Sequence, residues 1–244
     1  MVTGFLGGGK TTLLQRLIER NRERRFAYIV NEFADADVDG QLLELGEDQV
    51  VSIPGGSIFC RCLSGEFLRI LQDLAVRFDD PERPLEGVII EASGIADPKV
   101  TVEMLEETRL DRVYELRTVV SVIDPGTFMK LIHTLPNVIS QVEACDVALV
   151  NKTDLHDEAA LQEVEREIER INPRAKLVRS TFCQSEIDIL AAPERLPLHG
   201  EYALCKDPNY LSITLFVAAP LELEALLAEL GRIKEDVYRI KGLV

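Results

Sequence analysis

Gly4-Phe5-Leu6-Gly7-Gly8-Gly9-Lys10-Thr11 fills every fixed position of the spacing G-x-x-x-x-G-K-[ST], and a helical pattern follows at once. Each residue type answers a demand of polyphosphate binding. Glycines such as Gly7, Gly8 and Gly9 let the backbone turn tightly and aim its N–H groups at phosphate oxygens. The helix N-terminus behind them adds positive potential. Lys10 is expected to reach the β- and γ-phosphates, the Thr11 hydroxyl to bind Mg²⁺, and Thr12 to donate to the α-phosphate.

Two further signals close apolar runs. Val88-Ile89-Ile90-Glu91 puts an acid at the end of a buried strand, the edge where ligands bind in open α/β sheets. Glu91 is expected to touch Mg²⁺ directly or through water, and the N–H of Gly94 to approach a γ-phosphate. Asn151-Lys152-Thr153-Asp154 follows the run Val147 to Val150. Asp154 can accept from the N1–H and exocyclic amine of guanine, an arrangement adenine does not offer. Lys152 can lay its stem along the base, and Asn151 can brace the loop or contact N7. In this order, behind a phosphate loop and a strand-end acid, the four residues predict GTP rather than ATP.

A third constellation is less decided. Cys60 and Cys62 lie two residues apart after a Pro-Gly-Gly turn. In an extended stretch both would face one side, so two thiolates can share an ion, with Arg61 helping to keep them ionised. The other reading is two buried hydrophobic thiols. Cys145, Cys183 and Cys205 read as core or surface residues, and His133, His156 and His199 share no ligand spacing.

The elements that must position these groups alternate along the chain. Leu13, Leu14, Leu17 and Ile18 mark one helical face, and Phe67, Leu68, Leu71, Leu74, Ala75 and Phe78 another. Leu161, Val164, Ile168 and Ile171 line a third helix that ends before Pro173. Phe26 to Val30, Val88 to Ile90, Val119 to Ile123 and Val147 to Val150 read as strands, the last three apolar apart from Ser121, as in a parallel sheet covered on both faces. The pattern predicts an α/β fold with a mainly parallel sheet flanked by helices. Only Met1-Val2-Thr3 precede the phosphate loop, so either the first strand is unusually short or further residues precede it; the second is expected. Pro193, Pro197, Gly200 and Pro208 then interrupt the alternation, and Leu211 to Val217 and Leu221 to Leu230 read as a strand and a helix opening a second unit. The expected division is a nucleotide-binding domain over 1–190, a linker over 191–209, and the beginning of a small α+β C-terminal domain over 210–244.

The 244 residues carry a net charge of -15, which repels phosphate backbones and argues against nucleic-acid partners while leaving room for one nucleotide held by amides. Five unevenly spaced cysteines do not form a disulfide framework, so a reducing cytoplasm is expected. No apolar run approaches the ~20 residues of a membrane span, and no membrane partner is expected.

Taken together, "TGFLGGGKTTLL", "VNEFADADVDGQLL", "IIEASGIADP", "VSVIDP" and "LVNKTDL" resemble the motifs of the CobW-type metal-related P-loop GTPases, the CobW/HypB/UreG group. Pro220-Leu221 and Arg239-Ile240-Lys241-Gly242 resemble the start of that family's C-terminal domain, which is expected to continue past Val244. The resemblance implies a slow GTPase and a metallochaperone or insertase handling Zn²⁺ or Co²⁺ for a metalloenzyme or cobalamin-related client. It implies a switch over residues 31–39, in which Asp35 or Glu32 positions the attacking water, and turnover raised by homodimerisation or a partner. The family's Cys-x-Cys-Cys motif falls on "GGSIFCRC" and is not intact: Ser57 and Phe59 replace two cysteines, Cys60 matches the third, and Cys62 is extra. Glu32 or Asp35, or water, would complete a site on Cys60 and Cys62. The altered motif keeps a second function open, a nucleotide-gated activator of a corrinoid or other cofactor-dependent enzyme that binds no metal itself. An ATP-dependent small-molecule kinase is a third, opposed by Asn151 to Asp154.

Overall fold

The structure is a computed structural model, and it describes residues 1–31, 50–53, 57–60, 63–78, 82–191, 198–200, 202, 222–233 and 237. Seven strands form one sheet: β1 (Val2–Thr3), β2 (Phe26–Asn31), β3 (Val50–Ile53), β4 (Gly87–Glu91), β5 (Val120–Ile123), β6 (Val147–Val150) and β7 (Lys176–Arg179). Their order is β3-β2-β4-β1-β5-β6-β7, and every pairing is parallel. The helices are α1 (Lys10–Arg20), α2 (Ser64–Arg77), α3 (Val100–Glu107), α4 (Pro125–Leu131), α5 (Pro136–Glu143), α6 (Glu158–Ile171) and α7 (Leu223–Ile233).

Both faces of the sheet are covered, which is why its central strands are apolar without alternation. Successive side chains point to opposite faces. Phe26, Tyr28, Val30, Ile89, Val120, Val122 and Leu149 pack with Leu13, Leu14, Leu17 and Ile18 of α1. Ala27, Ile29, Ile53 and Ile90 instead join Phe67, Leu71 and Leu74 of α2 and Met104 of α3. Ile123, Ala148 and Val150 join Phe128 of α4, Val138 of α5 and Leu161, Val164 and Ile168 of α6. All three stripes read in the sequence are therefore core faces. Starts and stops follow local chemistry. Pro125 and Pro136 open α4 and α5, where a missing N–H costs nothing. The Asp157 carboxylate caps α6 by accepting from the N–H of Ala160 at 2.8 Å.

The strands expected over 26–30, 88–90, 119–123 and 147–150 are present, with β5 beginning at Val120 rather than Val119. α3, α4, α5, β3 and β7 are too short to show a periodicity in the sequence: four residues in each of the two strands, seven or eight in each helix. β1 is two residues long. It pairs with β4 only at Val2–Glu91, whereas β2 pairs with β4 along all five residues. At that N-terminal edge a cavity of about 390 Å³, lined in part by Phe26, Phe67, Val88, Leu105 and Tyr114, opens away from the phosphate loop. The helix expected over 221–230 is observed as Leu223–Ile233. The strand expected over 211–217, most of the linker and most of the C-terminal unit lie outside the described residues.

Candidate nucleotide site

The loop between β1 and α1 curls over the C-terminal edge of the sheet, and Gly4, Gly7 and Gly9 all take positive φ. Gly9 shows why. Its φ is 113°, and a Cβ there would lie 2.5 Å from Nδ2 of Asn151, so only glycine admits the side chain that braces the loop. Lys10, the first residue of α1, is buried, and its ammonium donates across the loop to the Phe5 carbonyl at 3.2 Å. Thr11 follows, and its hydroxyl donates to Oε1 of Glu91 at 3.0 Å. Two residues 80 positions apart are thus brought together because β4 lies beside β1, and α1 begins where β1's loop ends. A hydroxyl and a buried carboxylate in contact, beside a phosphate cradle, are the hard oxygen donors that Mg²⁺ prefers. The donor set therefore fits that ion. Thr12 lies half-buried in the same first turn.

The strand-end loop that follows Glu91 is held by helix α5. Nε2 of Gln141, itself buried, donates to the carbonyls of Gly94 and Ala96 at 3.0 and 3.1 Å. At the loop's end Asp97 accepts from the N–H of Lys99 at 2.9 Å, but burial outweighs this bond and raises its pKa.

On the other side of the cradle, Asn151 is the brace rather than a free base contact. Its Nδ2 donates to the carbonyl of Gly8 at 3.0 Å, and its Oδ1 accepts from the N–H of Cys183 at 3.0 Å. Lys152 has φ 60°, and its ammonium meets Oδ2 of Asp124 at 2.7 Å. Asp124 also caps α4 through the N–H of Gly126 at 3.0 Å, so the lysine is fixed to a helix start. Thr153 is tied to the Ser180 carbonyl through both its N–H (3.2 Å) and its hydroxyl (3.1 Å). Asp154 is exposed. His156 precedes the α6 cap and lies 3.8 Å from Asp124.

Residues 180–183 were not read as part of the site. Phe182 and Cys183 take φ of 51° and 54°, so the chain after β7 doubles back over the phosphate loop. Cys183 is not an isolated core residue: its thiol donates to the Gly9 carbonyl at 3.4 Å. Burial pushes that thiol up to about 11, which keeps it a neutral donor. Asp124 was visible in "VSVIDP", but nothing in its spacing pointed to Lys152. Cys145 is a core thiol as expected, pushed up to about 12 by burial and the neighbouring Asp146.

The cysteine turn is only partly in view. Cys60 is buried with 2% of its surface exposed. Its N–H donates to the Ser57 carbonyl at 2.9 Å, and its Sγ accepts from the N–H of Leu63 at 3.3 Å. Glu32, Asp35 and Cys62, with the rest of the expected switch, lie outside the described residues. Among the described residues no group of three His, Cys, Asp or Glu side chains can hold a metal ion, and no helix is long and apolar enough to cross a membrane.

Comparison with known proteins completes the description. Residues 1–179 match a family model described as CobW/HypB/UreG, nucleotide-binding domain. The chain is 30% identical to the zinc chaperone CobW of Pseudomonas aeruginosa, over 99% of this chain and 75% of that protein. It is 30% identical to the zinc chaperone YjiA of Escherichia coli over 78% of this chain, and it spans only 59% of that relative. With zinc-regulated GTPase metalloprotein activator 1 of Dictyostelium discoideum it shares 28% identity over 74% of this chain and 45% of that one. The crystal structure of Zn(II)-bound YjiA GTPase shares the fold, at a TM-score of 0.54 and 22% identity over 80% of this chain and 65% of that one.

Proposed function

The chain belongs to the CobW/HypB/UreG family, and from that premise we propose that it binds and hydrolyses GTP and uses the cycle to hold and release a transition metal for a client protein. The observation that carries the reading is the contact between Thr11 and Glu91 at 3.0 Å, beside a phosphate cradle braced by Asn151. The loop amides and Lys10 bind the β- and γ-phosphates. Thr11 and Glu91 hold Mg²⁺, which when bound draws charge from those phosphate oxygens. Asp154 reads guanine, while Asp124 fixes Lys152 beside it. The N–H of Gly94 meets the γ-phosphate, and Asp35 or Glu32 orients the attacking water. Turnover is slow without a partner or a second copy.

The cargo reading draws on the relatives named zinc chaperones, which favour Zn²⁺ over Co²⁺, and on Cys60 and Cys62 with Glu32 as donors. A reducing cytoplasm suits such thiols. The domain division is 1–190, 191–209 and 210–244. The second reading, a nucleotide-gated activator of a cofactor-dependent enzyme without a metal of its own, is favoured by one observation: Cys60 is 2% exposed and follows the fully buried Ile58 and Phe59. Zn²⁺ titration with and without a non-hydrolysable GTP analogue, on the wild type and a Cys60→Ser, Cys62→Ser variant, separates the two. The chaperone reading expects tight uptake only with the analogue and only by the wild type. Equal, weak uptake by both proteins leaves the activator, and a preference for ATP over GTP overturns both.

A further inference from the structure

Asn31, the last residue of β2, is 3% exposed and sits where three chain segments meet. Its Nδ2 donates to the Ile53 carbonyl at 3.0 Å, tying the ends of β2 and β3. Its Oδ1 accepts twice, from the N–H of Ile58 at 3.0 Å and from the N–H of Ser93 at 3.2 Å. One oxygen atom therefore joins the turn that carries Cys60 to the loop that leaves Glu91.

Each arm of this link is stiff on its far side. Ile58 lies inside the turn closed by the bond from Cys60 to Ser57, and Ile58 and Phe59 are fully buried. Moving the Ile58 amide therefore moves Cys60 with it, since packed interiors shift as units. On the other arm Ser93 precedes Gly94, which touches the phosphate loop: a Cβ on Gly94 would lie 2.7 Å from the backbone nitrogen of Leu6. A ligand arriving at the phosphate loop thus pushes or pulls on Ser93. The Ser93 hydroxyl is buried and has no hydrogen-bond partner among the described residues, so this loop holds a second donor beside the one that Asn31 uses.

We propose that Asn31 is the positioning residue that transmits occupancy of the phosphate site to the cysteine turn, through its shared Oδ1. This rests on the nucleotide reading above and adds the atom that carries the coupling. Coupling of this kind is a free energy between two sites, with typical factors of about 5–150.

The test reads Cys60 itself, in the full chain. Iodoacetamide alkylation of Cys60 is followed by peptide mass spectrometry with Mg²⁺ and either GDP or a non-hydrolysable GTP analogue, and nucleotide binding is measured separately by fluorescence. In the wild type the two rates should differ by about fivefold or more. With nucleotide saturating each protein, that ratio should fall below about twofold in Asn31→Ala. Cys145, in a separate cluster behind β5 and β6, is the control for loosening. If Asn31→Ala exposes Cys145 as well, the Cys60 ratio divided by the Cys145 ratio decides: a normalised ratio below about twofold supports the link and one at the wild-type value overturns it. A wild type that binds nucleotide without changing Cys60, or an Asn31→Ala variant with the wild-type ratio, also overturns it. A wild type that binds no guanine nucleotide removes the functional reading, and the relay with it.

Discussion

The phosphate loop and the cysteine turn lie at the same edge of the sheet, yet they are held in different ways. The loop is held by polar side chains from distant segments: Thr11 to Glu91, Asn151 to Gly8, and Cys183 to Gly9. The turn is held by apolar burial, with Ile58, Phe59 and Phe67 fully enclosed and two hydrogen bonds on Oδ1 and Nδ2 of Asn31 at its base. The first arrangement presents donors to a ligand. The second presents a rigid plug whose position is set elsewhere. A nucleotide should therefore find its site nearly formed, while anything that uses Cys60 must wait for the turn to be moved.

The sharpest way to break this contrast is at Lys10. Lys10→Ala removes the buried ammonium over the loop and should lower GTP hydrolysis by roughly 10²–10³-fold, measured by phosphate release, with the melting curve little changed. A smaller loss would mean that the backbone amides alone carry the phosphate charge.

Asp154 comes next. It is exposed, so Asp154→Ala should leave the fold intact while GTP binding weakens by about 3 kcal/mol, roughly a hundredfold, through two lost charge-assisted bonds. Competition with ATP checks this, because the GTP preference should shrink by the same factor. The Asn151 brace predicts a different outcome: Asn151→Ala should weaken all nucleotides alike.

The smallest effect belongs to the turn. Cys60→Ala removes a buried sulfur and its weak bond from Leu63, and should cost about 1–2 kcal/mol of stability by urea unfolding. GTP hydrolysis should be unchanged without a metal present. A fall in hydrolysis as large as that of Lys10→Ala would erase the distinction between the two regions.

Much of the nucleotide site was legible in the sequence because its demands are local. A phosphate cradle needs particular residue types within eight positions, and Lys10 and Thr11 follow from that spacing alone. Glu91 and Asp154 were legible because the first closes an apolar run and the second lies four residues beyond one, which marks both as candidates at the ligand-binding edge of a parallel sheet. Asp124, Gln141, Ser180 and Cys183 were not, since their partners are other parts of the backbone or side chains brought near by strand order. Asn31 had been read only as part of a switch segment. Its bonds to Ile53, Ile58 and Ser93 span separations of 22, 27 and 62 residues, and no spacing rule reaches that far.

By itself the sequence determined which chemistry to expect: a loop suited to phosphate, an acid suited to magnesium, a carboxylate suited to guanine, and strands apolar enough to require helices on both faces. Those follow from side-chain type and short-range periodicity. Only the tertiary structure decided which backbone groups share an acceptor, because that depends on β2 lying between β3 and β4. The physical reason is that a buried amide must be paired, and folding, not spacing, brings Ile58 and Ser93 to the same oxygen.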